Sequence, residues 1–197
     1  MGLDFSLLCF EPLGRHHDRP AFSCDEPSLT DYLRRQARQD AARDLASCWV
    51  LCAPNDPRII GYYTLTATSV DVSNLPPTLS KRSGRYKVVG AALLGRLAVD
   101  SRYAHQGVGT QLLLDSLRRV LRTTQHGIGI KAVVVDALNE GVARFYEKFG
   151  FERIETPRED GALEPIRLVI ALDTVREIFP DEGGDSDGTP SVVVEDV

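Results

Sequence analysis

The run Leu97-Ala98-Val99-Asp100-Ser101-Arg102-Tyr103-Ala104-His105-Gln106-Gly107-Val108-Gly109-Thr110-Gln111-Leu112-Leu113-Leu114 limits the fold more than any other stretch. It reads as a buried strand, a turn with two glycines one residue apart, and an amphipathic helix. Glycine at 107 and 109 permits positive φ and lets a bulky anion approach the backbone. A turn of this kind aims consecutive N–H groups at one spot, at the positive end of a helix, and so suits a phosphate or pyrophosphate. The run is not a dinucleotide fingerprint, because the third glycine is missing, and no Gly-Lys-Ser/Thr follows to make a Walker loop.

The flanking segments set the fold class. Phe5–Phe10 reads as a strand, 29–45 as a helix N-capped by Ser28, and Cys48–Cys52 and Ile59–Thr68 as a hairpin. The stretch 71–86 reads as an irregular basic connection, and Val88–Val99 as the central strand. A helix follows over Gly109–Thr123, then a near-continuous apolar strand over Lys131–Leu138, as expected in a sheet covered on both faces. A short helix over Gly141–Phe149 ends at Gly150, a C-cap position. Phe151–Ile154 and Ile166–Leu172 are the last strands. The order is mixed α/β, with the glycine turn inside a strand–helix–strand crossover.

Charge is uneven along the 197 residues. The formal net charge is −5, from 23 Lys and Arg against 28 Asp and Glu. Six of the acids fall after Pro180, where there is no base, so residues 1–179 are close to neutral and 180–197 form an acidic tail expected to be disordered. Basic patches on the body can still meet a polyanion. No apolar run reaches membrane-spanning length and no signal segment is evident, so a cytoplasmic protein without membrane contact is expected. Cys9, Cys24, Cys48 and Cys52 read as buried free thiols, and no spacing marks a metal site.

The second chemical stretch is Asn139-Glu140-Gly141-Val142-Ala143-Arg144-Phe145-Tyr146-Glu147-Lys148-Phe149-Gly150-Phe151. With the glycine turn it resembles the two signature motifs of the GNAT (Gcn5-related) N-acetyltransferases. The resemblance implies a single α/β domain over 1–179, with a mixed, mostly antiparallel central sheet flanked by helices, and acetyl-CoA as co-substrate. It implies that Ala104, His105, Gln106, Gly107, Val108, Gly109 and Thr110 cradle the pyrophosphate. The match departs at Ala104, where Gln or Arg is usual, and at His105, where a glycine is usual. Leu97, Ala98 and Val99 would offer backbone groups to the pantetheine arm and an amide to the thioester carbonyl, a donor of the kind worth about 3–4 kcal/mol on an oxyanion. Asn139 and Phe145 would also meet the cofactor. Tyr146 would protonate the departing CoA sulfur, since a phenol of pKa about 10 is protonated at neutral pH. No general base is evident. The α-amino group of an aminoacyl ester, more acidic than an ordinary α-amine, would need only a weak one.

Phe22-Ser23-Cys24-Asp25-Glu26-Pro27-Ser28-Leu29, Gly61-Tyr62-Tyr63-Thr64-Leu65 and Leu94-Gly95-Arg96-Leu97 extend the resemblance to the tRNA-acetylating toxins of bacterial type II toxin–antitoxin systems. That implies an aminoacyl-tRNA substrate, blocked translation, a ribbon-helix-helix antitoxin as partner and, as in many members, a homodimer. Arg34, Arg35, Arg38, Lys81, Arg82, Arg85 and Arg96 are the candidate tRNA contacts. Two other readings stay open: a GNAT enzyme for a small amine or protein N-terminus, and a non-catalytic binding module suggested by Ala104 and His105.

Overall fold

The computed structural model describes residues 3–154 and 165–180; the acidic segment 181–197 lies outside the described residues. In chain order the elements are β1 (Cys9–Pro12), α1 (Pro27–Arg35), α2 (Ala37–Ala42), β2 (Ser47–Cys52), β3 (Gly61–Asp71), α3 (Pro77–Ser80) and β4 (Val88–Val99). They continue with α4 (Val108–Gln125), β5 (Ala132–Ala137), α5 (Glu140–Glu147), β6 (Glu152–Arg153), β7 (Ile166–Ala171) and α6 (Leu172–Ile178). The strands form one sheet in the order β1-β2-β3-β4-β5-β7-β6. Every neighbouring pair is antiparallel except β4 and β5, the parallel pair joined through α4. The expected mixed, mostly antiparallel α/β domain is therefore present. No helix among the described residues is long and apolar enough to cross a membrane.

Period-two alternation divides the core between two faces. Tyr63, Val133, Val135, Leu168 and Ile170 face α4 and α6. Tyr62, Val50 and Ala98 face α1 and α2, and Val134, Ala132 and Val169 face α3. β5 is buried on both sides, which explains its unbroken Ala-Val-Val-Val run. The alternation changes phase once. Thr64 pairs with Arg96 and Leu65 with Leu94, so Gly95 is the extra residue of a β-bulge. Before it Ala92 and Leu94 face α4; after it Leu97 and Val99 do, and Arg96 turns to the α1 side.

β4 and β5 pair only from Ala91–Ala132 to Leu94–Val135. Beyond the bulge the strands part. The backbone edge of β4 from Gly95 onward, on the side away from β3, is thus left without a ladder partner, and a gap opens in the middle of the sheet.

Several local expectations need correction. The chain forms a 3-10 turn at Phe5–Leu7 instead of a strand from Phe5, because the Asp4 carboxylate accepts the Ser6 N–H; β1 starts at Cys9. Glu26, not Ser28, caps α1, with Pro27 in the first helical position, where its missing N–H costs nothing. The single helix expected over 29–45 is broken at Gln36 (φ −114°). The break keeps Leu33 and Ala37 both fully buried against the twisted sheet, and Tyr32 spans it to donate a 2.9 Å hydrogen bond to Asp40. The connection 71–86 holds short helical turns that bury Leu75 and Leu79, and α6 follows the last strand directly.

Gly61 lies where α4 meets the sheet. A Cβ there would sit 2.8 Å from Leu112 Cδ1, 3.1 Å from the Ala98 carbonyl oxygen and 3.3 Å from Val108 Cγ1. Gly61→Val is expected to cost about 1–3 kcal/mol, read as a lower urea midpoint at unchanged m. An unchanged midpoint would show that α4 is not seated this closely.

Candidate active site

The glycine turn is built from the buried Asp100 outward. Its carboxylate accepts four hydrogen bonds: from Arg102 N (3.0 Å), Nε (2.7 Å) and Nη2 (3.0 Å), and from Ser23 N (3.1 Å). Burial acts to raise its pKa, but these bonds outweigh it and hold the carboxyl below its ordinary value. Asp100 thereby caps the 3-10 turn Ser101–Tyr103 and ties it to the β1–α1 loop. The chain then passes through His105 (φ 59°) and Gly107 (φ 83°), both left-handed, and enters α4 with Gly107 as its N-cap. No side chain among the described residues caps α4. Its first free amides, at Val108, Gly109 and Thr110, point away from the helix at its positive end.

These amides open on a cleft of about 400 Å³ lined by Ala98, Val99, Ala104, His105, Thr110 and Phe145, among others. A second cleft of about 420 Å³ lies in the gap between β4 and β5, with Leu97, Arg96, Asn139, Val142 and Tyr146 in its wall. The two share Asp25, Glu26 and Leu29, the residues that lead into and begin α1. Phe145 and Tyr146 are in edge-to-face contact, with centroids 5.2 Å apart, and face one cleft each. Asn139 caps α5 through Oδ1 on the Val142 N–H. The Tyr146 hydroxyl has no hydrogen-bond partner among the described residues. Burial raises its pKa well above that of a free phenol, so the proton stays on the oxygen until a strong base is formed beside it.

The structure thus gathers most of the expected cofactor residues around these two neighbouring clefts. Gln106 is the exception, its side chain donating to the Arg102 carbonyl. Of the expected tRNA contacts, Arg96 reaches the second cleft, its guanidinium 3.5 Å above the Tyr32 ring. Arg34 donates twice to the Phe22 carbonyl (3.1 and 2.7 Å) and so fastens α1 to the preceding loop. Arg35 is exposed and pairs with Asp31, and Arg38 is exposed. Lys81 and Arg85 are exposed in the connection that leads into β4, whose twelve residues span ~40 Å of strand. The Arg82 side chain lies outside the described set. Sequence reasoning did not single out Asp25 or Glu26, because no local pattern links the β1–α1 loop to a strand seventy residues later.

One group of potential metal ligands occurs among the described residues: Glu11, His17 and Cys52, at the β1 edge of the sheet. His17 Nδ1 accepts the Gly14 N–H at 2.8 Å, so the other nitrogen, Nε2, carries the proton and donates it to Glu11 at 2.7 Å. A proton rather than a lone pair faces the group. The geometry is that of a hydrogen-bonded staple for the β1–α1 loop, with the Cys52 thiol also donating to Glu11. The four cysteines are free thiols; Cys48 and Cys52 are buried as expected, whereas Cys9 and Cys24 are only half-buried.

The glycine turn at the α4 N-terminus, the parted β4–β5 pair and the buried Tyr146 phenol thus border neighbouring clefts on one sheet. Residues 13–151 match the sequence model of the Acetyltransferase (GNAT) family, and the chain belongs to that family. It is an N-acetyltransferase that uses acetyl-CoA as co-substrate. It is 33% identical over 164 residues to the tRNA-acetylating toxin of Mycobacterium tuberculosis, covering 83% of this chain and 92% of that one. Its fold is similar to that of AtaT complexed with acetyl-methionyl-tRNAfMet, with a TM-score of 0.77 and 25% identity over 87% of this chain and 99% of that one. A Tyr-to-Phe mutant of AtaT bound to the C-terminus of the antitoxin AtaR gives a TM-score of 0.69 at 25% identity, over 88% and 98% of the two chains.

A group whose folded pKa is depressed stabilises the fold above its unfolded pKa and loses that contribution as pH falls. Asp100 should therefore leave stability level above about pH 5 and lower it below about pH 4. Asp100→Asn is expected to cost about 2 kcal/mol at neutral pH, to flatten that acid limb and to weaken acetyl-CoA binding. Denaturation midpoints measured across pH check this, and an unaltered acid limb would contradict it.

Proposed function

We propose that the protein transfers the acetyl group of acetyl-CoA to the α-amino group of an aminoacyl-tRNA, a reaction that removes the charged tRNA from translation. The observation that carries this reading is that the two clefts are neighbours, with Asp25, Glu26 and Leu29 in the walls of both. A thioester entering along β4 from the glycine turn meets an amine entering through the β4–β5 gap, beside Tyr146. The tRNA part draws its support from the relative that is a tRNA-acetylating toxin over nearly its whole length, and from Arg96 in the wall of the amine-side cleft.

The chemistry follows from the residues present. The amides of Val108, Gly109 and Thr110 meet the pyrophosphate, and the unpaired edge of Leu97–Val99 meets the pantetheine arm. An amide of this edge also receives the charge that develops on the thioester oxygen. The neutral amine attacks the carbonyl carbon, the C–N bond forms, and collapse of the adduct breaks the C–S bond. The sulfur leaves with the electron pair and takes the Tyr146 proton. Burial disfavours thiolate and phenolate alike, so it does not itself drive this transfer; the phenol acts by hydrogen-bonding the sulfur as the C–S bond breaks, and the phenolate left behind is reprotonated afterwards. An antitoxin of the ribbon-helix-helix type is the partner that would hold such an enzyme inactive.

Transfer of labelled acetyl from acetyl-CoA to a charged total tRNA pool tests the reading. Label is expected on aminoacyl-tRNA, and Tyr146→Phe should lower kcat by about 10²-fold or more while acetyl-CoA affinity is kept. Label on small amines alone would overturn the tRNA substrate. Full turnover by Tyr146→Phe would overturn the proton donor.

A further inference from the structure

Attack by an amine leaves a proton to be removed. The nitrogen becomes an N–H⁺ centre in the tetrahedral adduct, and that proton must go before the amide can form. Neither signature stretch holds a side chain suited to take it. The fold supplies one from elsewhere, and we propose that Glu26 is the catalytic residue that accepts the amine proton. The inference rests on the acetyl-transfer reading above and adds the second half of its proton balance.

Position comes first. On the acetyl-transfer reading the thioester and the amine come together where the two clefts border each other, and the residues common to both linings are Asp25, Glu26 and Leu29. Three carboxylates border the amine-side cleft. Asp136 is held by Arg167 through two bonds, of 2.7 and 2.9 Å. Asp25 is exposed, and its Oδ1 accepts from Ser101 Oγ at 3.1 Å. Glu26 is half-buried; Oε1 accepts the Ser28 N–H at 3.2 Å, and Oε2 has no hydrogen-bond partner among the described residues. His105 borders only the glycine-turn cleft, and Tyr146 is committed as a donor.

The type of residue points the same way. A helix N-cap is filled best by Ser, Thr, Asp or Asn, whose short side chains reach the first free amides without strain. Glutamate caps less well, but it is long enough to cap with one oxygen and present the other to the cleft. The 25–28 segment Asp-Glu-Pro-Ser therefore closes the helix and arms the junction with one side chain.

The step balances. The amine lone pair forms the C–N bond and the carbonyl π pair moves to oxygen. The ammonium proton of the adduct passes to Glu26 Oε2. The oxygen pair then re-forms the carbonyl, the C–S bond breaks, and sulfur takes the Tyr146 proton. Glutamic acid and phenolate remain, and a proton passed from one to the other through solvent resets the site.

Glu26→Gln separates this role from capping, because the glutamine amide oxygen still accepts the Ser28 N–H while the proton acceptor is gone. With whichever primary amine the wild type acetylates, the variant should bind acetyl-CoA within twofold of wild type and lose about 10²-fold in kcat. Its remaining rate should rise with added imidazole at fixed pH, whereas the wild-type rate should not, and Glu26→Asp should recover part of the loss. Wild-type turnover by Glu26→Gln would overturn the proposal. So would loss of acetyl-CoA binding, or a slow variant indifferent to imidazole, since either would make Glu26 only a cap. A wild type that leaves charged tRNA untouched but acetylates another amine would count against the tRNA reading alone, and the Glu26 comparison would still decide this inference.

Discussion

The parallel pairing of β4 and β5 stops at Leu94 and Val135, and everything in the site depends on where it stops. Four residue pairs hold the strands together, and the Gly95 bulge then turns β4 out of the ladder. Had the pairing continued, the edge of Leu97–Val99 would be occupied by β5 and closed to any ligand. The bulge also reverses which side chains face α4. Leu97 and Val99 then pack toward α4, and Arg96 swings over Tyr32 on the α1 side. One inserted residue thus sets both the gap and the chemistry of its two mouths.

The unpaired edge would be a liability without a rigid frame. Asp100 provides much of it, at the end of β4, by fixing the turn before α4 and the loop before α1 with a single buried carboxylate. The staple of His17, Glu11 and Cys52 holds the other end of that loop. Asp25 and Glu26 are therefore carried to the cleft on a segment tied down at both ends, as a group must be if it is to meet a short-lived adduct. The burial that keeps Tyr146 protonated comes from the same packing, through Phe145 and Phe151.

How much of this could be read from the sequence depended on range. The central strand Val88–Val99, the helix after the glycine turn and the left-handed Gly150 are each set by a strong local pattern, and the structure has them at or within two residues of the expected places. The split of the first helix at Gln36 and the late start of β1 were hidden, because they answer to the twist of the sheet and to one Asp4 cap. In the site, the glycine turn, Phe145 and Tyr146 were legible as motifs. The place of Asp25 and Glu26 beside the clefts was not, since it arises only where a loop and a strand far apart in sequence meet. Charge alone also said little about Arg34, whose guanidinium serves a backbone carbonyl.

The account is tested most directly by amide hydrogen exchange with and without acetyl-CoA. Binding should slow exchange at Leu97–Val99 and at Val108–Thr110 together, with little change along Lys81–Val88 at the other end of β4. Protection of the glycine turn without Leu97–Val99, or protection confined to the far end of the sheet, would contradict the claim that the parted strands hold the thioester.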